Sequence, residues 1–215
     1  MRFAHTLVAG IPPATRGVMK RTILAAVSLL AGAVPLAHAD KLPGMRGLDH
    51  IGITVPDLAE AEAFFADVLG CEKALSFGPF RDDEGTFMTD ALAVHPRTVI
   101  NRITEMRCSF GANVELFDYD APDQQTVAAK NSDIGGHHIA IYVDDIDAAA
   151  AYLREKGVRT LAGPIPVDEG PAAGQRILYF FAPWGLQLEA ITYPGGMAYE
   201  KEGGTVLWSP REPAK

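Results

Sequence analysis

Cysteine is nearly absent: Cys71 and Cys108 are the only two in 215 residues, too few for a disulfide-stapled scaffold or a cysteine zinc site. Basic residues are also scarce, 19 lysines and arginines against 27 aspartates and glutamates, for a formal net charge of −8. No lysine or arginine cluster interrupts that acidity, which speaks against nucleic acid and anionic membrane surfaces as partners. The apolar run from Thr22 to Val34 falls short of the ~20 residues that a membrane-spanning helix needs. Lys20 and Arg21 precede that run, and Ala37-His38-Ala39 follows it with the small-x-small pattern of a secretory cleavage site. These signs predict a signal peptide over residues 1–39, starting at Met19, and an exported chain, periplasmic or secreted, with no stable membrane insertion after cleavage. The predicted leader holds Arg2, Arg16, Lys20 and Arg21 and no acid, so the remainder is more acidic still. Residues 40–215 suffice for one domain with a proper core. In an oxidising compartment the two cysteines either form one bridge or remain buried thiols.

What the chain does contain is a segment that occurs twice. Asp49-His50-Ile51-Gly52-Ile53-Thr54-Val55 and His137-His138-Ile139-Ala140-Ile141-Tyr142-Val143 align at an offset of 88 residues, with His50 on His138 and Asp57 on Asp145. Each half closes on a similar strand, Val114-Glu115-Leu116-Phe117 and Leu188-Glu189-Ala190-Ile191. Strand signals at 48–55, 72–78, 98–109 and 113–119 surround a helix over 57–69 that has Asp57 as its cap and Gly70 past its end. The second half repeats this with a strand at 137–143, a helix over 145–156 and strands near 158–162, 175–181 and 186–193. The fold class is therefore α+β, two βαβββ modules over about 46–119 and 137–193 within one domain, followed by a C-terminal tail of lower order over 194–215. Cys71 would open the second strand and Cys108 close the third. Residues 78–97 form a connection long enough to suggest a lid over a ligand.

Strand alternation selects the candidate site, because successive side chains point to opposite faces of a sheet. Ile51, Ile53 and Val55 share the face a helix would cover, which sends His50, Gly52 and Thr54 to the other. By the same parity His138, Ala140 and Tyr142, Glu115 with Phe117, and Glu189 all lie on the non-helix face. Two carboxylates there would repel each other and resist desolvation unless a cation sat between them. His50, Glu115, His138 and Glu189 are thus candidate metal ligands, and Gly52 and Ala140 would leave room beside them. The alternative is ordinary hydrogen-bonded strand histidines with solvated edge carboxylates. Thr54, Phe117 and Tyr142 share the face as candidate substrate contacts, and Arg102 on the third strand is a further candidate. His137 has the opposite orientation and reads as structural.

Leu48-Asp49-His50-Ile51-Gly52-Ile53, Gly136-His137-His138-Ile139-Ala140 and Phe181-Ala182-Pro183-Trp184-Gly185-Leu186-Gln187-Leu188-Glu189 resemble motifs of the vicinal oxygen chelate superfamily. That superfamily includes glyoxalase I, methylmalonyl-CoA epimerase, extradiol dioxygenases and bleomycin or fosfomycin resistance proteins. The third segment looks like the family's Asp-Pro-Xaa-Gly turn, with Ala182 and Trp184 as departures. The resemblance implies paired modules forming a cupped mixed sheet around one divalent metal, zinc, nickel, cobalt, manganese or iron, held by His50, Glu115, His138 and Glu189.

Four protein ligands on an octahedral ion leave two open positions, enough for a substrate that chelates through neighbouring oxygens. A metal so placed stabilises an enediolate or enolate while a carboxylate beside it moves a proton. The resemblance therefore implies a lyase or isomerase like glyoxalase I, the lactoylglutathione lyase, acting on a small molecule with Glu189 or Glu115 as the proton-transfer base. A methylmalonyl-CoA epimerase would use similar chemistry, although an exported protein would not meet acyl-CoA. A ring-cleaving dioxygenase fits less well, because Glu115 would crowd the oxygen site. A non-catalytic ligand-binding or resistance protein of the same fold is the alternative from another class. Whether the modules of one cup belong to one chain or are exchanged within a homodimer stays open in the sequence.

Overall fold

The computed structural model describes residues 42–214; the predicted leader, with its start at Met19, lies outside them. Asp57 has extended backbone and accepts a hydrogen bond from the Glu60 amide at 3.0 Å, which caps α1 (Leu58–Ala63); the chain then continues as a π-helical turn over Phe64–Val68. Around this helix lie β1 (His50–Thr54), β2 (Glu72–Phe77), β3 (Val99–Arg107) and β4 (Asn113–Asp120), with a short α2 (Phe87–Leu92) between β2 and β3. The second half repeats the order. Asp145 accepts from the amides of Asp147 and Ala148 and caps α3 (Ile146–Glu155), which follows β5 (His138–Tyr142) and precedes β6 (Ile165–Pro166), β7 (Arg176–Phe181) and β8 (Gln187–Thr192). The sheets run β1-β4-β3-β2 and β5-β8-β7-β6, with β1 parallel to β4, β5 parallel to β8, and the other neighbours antiparallel. Each is a mixed four-stranded sheet built from one βαβββ module, the expected α+β class.

One face of each sheet is apolar and lies under its own helix. Ile53, Val55, Met106, Val114 and Leu116 pack with Leu58, Ala61 and Phe65, while Leu178, Phe180, Leu188 and Ala190 pack with Ile146, Ala150 and Leu153. Both sets belong to one continuous core. Trp184, from the turn between β7 and β8, meets the rings of Phe64 and Phe65 at 5.8 and 6.4 Å, and the Tyr152 hydroxyl donates to the carbonyls of Asp67 and Val68 at 3.2 and 3.1 Å. The modules are thus joined through their helix sides, and their other faces are turned away from the junction. Burial of each large apolar side chain there stabilises the union by roughly 1.5–3 kcal/mol.

Three segments differ from the sequence reading. The strand expected near 158–162 is reduced to a bridge between Thr160 and Phe180, and the edge resumes only at Ile165–Pro166; Pro164 and Pro166 have no N–H to donate, which confines them to a broken edge. The connection over 78–97 carries α2, which buries Met88 against Ile100 and Ile103, with Phe117 and Tyr119 packed alongside. The Asp82 carboxylate fastens it by accepting from the amides of Gly85 and Phe87, and Arg97 donates to the carbonyls of Asp82 and Gly85. Past Thr192 the chain stays folded onto the second module: Arg211 donates to the Tyr193 carbonyl at 2.8 Å, and the Tyr193 and Ser209 hydroxyls lie 2.9 Å apart.

Cys71 and Cys108 are bridged, with Cα atoms 4.3 Å apart. They sit just outside the paired Glu72 and Arg107 and close the open end of the β2–β3 hairpin. Replacing both by alanine is expected to cost about 3–4 kcal/mol through the freed loop entropy of the unfolded chain. The loss should appear as a lower urea midpoint; an unchanged midpoint would mean that strand pairing alone holds the hairpin.

Candidate metal centre

In the first module the parallel pairing of β1 with β4 sets Gly52 opposite Glu115, and the antiparallel pairing of β3 with β4 sets Glu105 on the other side of the same residue. Glu115, between them, reaches His50 diagonally. The His50 Nδ1 lies 2.8 Å from Asp49 Oδ1, and its Nε2 lies 3.3 Å from Glu115 Oε2. Gly52 permits this crowding: a Cβ there would stand 3.3 Å from the Phe117 ring and 3.7 Å from Glu115 Oε2. One ligand atom from each of His50, Glu105 and Glu115 falls within 4.8 Å of the others. The hydrogen bond to Asp49 is the main cause that holds the His50 pKa above its usual 6.5; burial opposes it, and the charges of Glu115, Glu105 and Asp49 add to the rise. Burial pushes the Glu115 carboxyl up, the charges of Glu105 and Asp49 add to it, and His50 opposes.

The second module repeats the pair with different neighbours. His138 Nδ1 lies 3.1 Å from the Asn131 side-chain oxygen, and its Nε2 lies 2.9 Å from Glu189 Oε2. Glu189 stands opposite Ala140 on one side and Tyr179 on the other, so Tyr179 holds the place that Glu105 holds in the first module. The His138 ring meets Tyr179 edge-on at 5.3 Å, and Glu189 is buried beneath them at 6 % exposure. Burial, then the charge of Glu189 and a hydrogen bond to it, raise the Tyr179 pKa.

The chemistry of these donors fits a divalent cation. In both modules an oxygen fixes Nδ1, the outer-sphere arrangement that holds a metal-ligating histidine in one tautomer. With the proton on Nδ1, the Nε2 lone pair faces a carboxylate oxygen, and two acceptors at that range are stable only with a proton or a cation between them. Histidine nitrogen with carboxylate oxygen suits zinc or another first-row divalent ion. The structure therefore brings His50 to Glu115 and His138 to Glu189, and adds Glu105, which the sequence reading had not included. The hairpin joining β3 to β4 sets Glu105 across from Glu115, a register that strand parity alone does not fix. Among the described residues the two pairs do not merge into one four-ligand cluster.

The remaining candidates are spread more widely. Phe117 stacks on Tyr119 at 5.2 Å. Thr54 lines a hollow with Thr89, His95, Tyr119 and Gln124. Tyr142, with Ala140, Ile191, Tyr193, Met197 and Leu207, lines a cavity of about 420 Å³ on the non-helix face of the second sheet, so the tail supplies an apolar wall beside the His138–Glu189 pair. Arg102 lines a hollow with Leu58, Glu62 and Asp118 on the helix side, next to a register slip between Ile100 and Arg102. Among the described residues, no helix is long and apolar enough to cross a membrane.

Comparison with known proteins bears on the family and the fold. Residues 49–179 match the Glyoxalase/Bleomycin resistance protein/Dioxygenase superfamily. A 2-epi-5-epi-valiolone epimerase from Actinomyces sp. is 45% identical over 170 residues, which cover 79% of this chain and 91% of that protein. Human mitochondrial methylmalonyl-CoA epimerase is 27% identical over 61% of this chain and 64% of its own. A glyoxalase family protein of solved structure from Bacillus cereus shares the fold with a TM-score of 0.53 at 18% identity, covering 72% of this chain and 97% of that one.

Asp49→Ala should let the His50 pKa fall back toward 6.5, visible in an NMR titration of the ring protons, and should weaken cobalt or zinc binding by about 10–100-fold. In the unaltered protein affinity should climb as pH rises through and past that value, because a proton on His50 competes with the metal. An affinity that stays flat across this range would remove His50 from the ligand set.

Proposed function

The chain belongs to the glyoxalase/bleomycin resistance protein/dioxygenase superfamily, and from that premise we propose that it is a metal-dependent epimerase of a small ketone that chelates through neighbouring oxygens. This is the isomerase branch of the chemistry expected from the sequence. The observation that carries the reading is the 45% identity, over 91% of its length, to an enzyme named for epimerising 2-epi-5-epi-valiolone. The His50–Glu105–Glu115 cluster supports the metal requirement. Zinc, nickel, cobalt, manganese or iron would suit the donors, and the bound ion would supply Lewis acidity at the substrate carbonyl.

His50, Glu115, His138 and Glu189 would hold that ion, with Asp49 and Asn131 orienting the two rings. Inversion of a carbon beside a carbonyl requires a proton to leave one face and another to arrive on the opposite face. Glu189 is suited to take the first: it is buried and held by the Tyr179 hydroxyl, which keeps water from competing for it. Glu115, the equivalent carboxylate of the first module, is suited to deliver the second. Phe117 and Tyr142 would flank the substrate, and Thr54 would contact its far end.

Hemithioacetal isomerisation, as in glyoxalase I, uses the same groups but needs cationic partners for glutathione, and Arg102 is turned to the other side of the sheet. Export is part of the proposal. The leader-like segment over 1–39 and the Cys71–Cys108 bridge support it, since such bridges persist in oxidising compartments. An exported enzyme would act on a free small molecule rather than on acyl-CoA.

The test is incubation of the metal-loaded full chain in D2O with 2-epi-5-epi-valiolone and, separately, with the hemithioacetal of methylglyoxal and glutathione. Deuterium should enter beside the ketone of the first, and Glu189→Gln, measured at saturating metal, should slow exchange by about 10²–10⁴-fold. Turnover of the hemithioacetal alone would move the assignment to glyoxalase I. Metal-replete protein that exchanges neither would reject the enzyme and leave a ligand-binding cup.

A further inference from the structure

The connection between β2 and β3 walls off a hollow beside the His50–Glu115 pair. Thr54 of β1, Tyr119 of β4 and Thr89, His95 and Thr98 of the connection line it, and it holds about 720 Å³, the size of a small-molecule site. Thr54 and Tyr119 follow His50 and Glu115 at even spacing on neighbouring parallel strands, so parity sets all four on one face. Tyr119 stands near enough to Glu115 that, after burial, the carboxylate charge helps to raise the phenol pKa. The hollow therefore continues the metal-binding face of the first module, with the Phe117 ring stacked on Tyr119 between them.

Its polar groups are held in place and left over. Ala93, left-handed at φ 55°, ends α2, and the Thr89 hydroxyl donates to the next carbonyl, that of Val94, at 3.1 Å. The His95 carbonyl accepts from the Thr98 amide at 2.9 Å, and its Nδ1 accepts from the Arg97 amide at 3.1 Å. A neutral ring so held carries its proton on Nε2, as a donor. Among the described residues neither that nitrogen nor the Tyr119 hydroxyl has a partner. Thr98 is 1% exposed, and its hydroxyl is buried with no hydrogen bond. A hydroxyl in that state weakens the fold relative to a valine of the same shape unless a ligand supplies its partner. The charge of the walls narrows what that ligand is. No lysine or arginine lines the hollow, Arg97 is engaged with the carbonyls of Asp82 and Gly85, and Asp123 stands on the wall. A phosphate or carboxylate would meet an acid there and no cation to bind it.

We propose that this hollow is a recognition site for hydroxyl groups, in which Thr98, Tyr119 and His95 grip the far end of a neutral, polyhydroxylated substrate and its phosphate ester is refused. The inference deepens the epimerase reading above and rests on it for the ketone end of the substrate. The chelating oxygens lie at the metal-binding face, the ring passes Phe117, and the remaining hydroxyls reach the connection. Because these contacts lie away from the reacting carbon, they hold ground state and transition state alike and set KM more than kcat.

The experiment compares the Co2+-loaded full chain with Thr98→Val and with Tyr119→Phe, each of which removes one hydroxyl and keeps the shape. Isothermal titration measures binding of 2-epi-5-epi-valiolone, and deuterium exchange in D2O gives kcat and KM. Each substitution should raise the dissociation constant by about 3–10-fold, with KM following it, as expected for one lost neutral hydrogen bond. Thr98→Val should at the same time raise the urea midpoint, because the unpaired hydroxyl is gone. Co2+ affinity should be unchanged in both variants, which separates the hollow from the metal centre. The phosphate monoester of the same ketone should bind the unaltered chain at least about tenfold more weakly than the ketone. The inference is overturned if both variants bind the ketone as tightly as the unaltered chain, if the phosphate ester binds as well as the ketone, or if the unaltered chain binds no ketone. Binding that depends on both hydroxyls without deuterium exchange would remove the epimerase and keep the site, whereas exchange with an affinity indifferent to both would remove the site and keep the epimerase.

Discussion

In each module the first strand pairs in parallel with the last, Gly52 opposite Glu115 and Ala140 opposite Glu189. That pairing is the constraint from which the remaining architecture follows. Parallel neighbours cannot be joined by a tight turn, so the chain must leave the sheet and return through a helix and a hairpin. The crossover covers one face, and the alternation that buries Ile53 and Leu116 beneath it sends the histidine and the glutamate to the other. A small residue beside each glutamate is then a steric condition, since the Phe117 ring leaves little space for any side chain at position 52.

The electrostatics of the exposed faces are unsettled by design of the donor set. An imidazole whose Nδ1 is fixed by Asp49 or Asn131 presents its other nitrogen to a buried or half-buried carboxylate. Such a pair carries either a proton or a cation. Glu105 tips the first module further toward a cation by placing a second carboxylate beside the first, whereas Tyr179 in the second module protects Glu189 with a neutral group that can donate a hydrogen bond. A duplicated framework thus carries two chemically different walls, a useful property for a reaction that treats the two faces of one carbon differently.

The helix sides contribute most of the cohesion. One apolar core runs through both modules, the disulfide closes the β2–β3 hairpin, and the salt bridge from Lys73 to Glu62 ties that hairpin to α1. Glu62 also accepts from Thr104, which is itself fully buried, so a charged residue at the helix surface anchors the hairpin from within. With rigidity concentrated there, the opposite faces are left to α2 and to the C-terminal tail, both of which fold over the sheets as separate additions.

The sequence by itself determined the duplicated βαβββ unit, the faces of its strands, and the membership of His50, Glu115, His138 and Glu189 in one class of donor, because strand parity and helix caps are local properties written in consecutive residues. The tertiary structure decided what depends on register and on contacts between distant segments. Glu105 became a ligand candidate through the pairing of β3 with β4, and a register slip in the same ladder sets Arg102 beside Asp118. The cysteine pairing, left open by sequence, was decided by the closeness of two strand ends. Above all, the helix-side junction, fixed by Trp184 and Tyr152 reaching across from the other module, determines which faces of the two sheets are joined; no pattern in either repeat alone carries that choice, because it is the packing of one against the other.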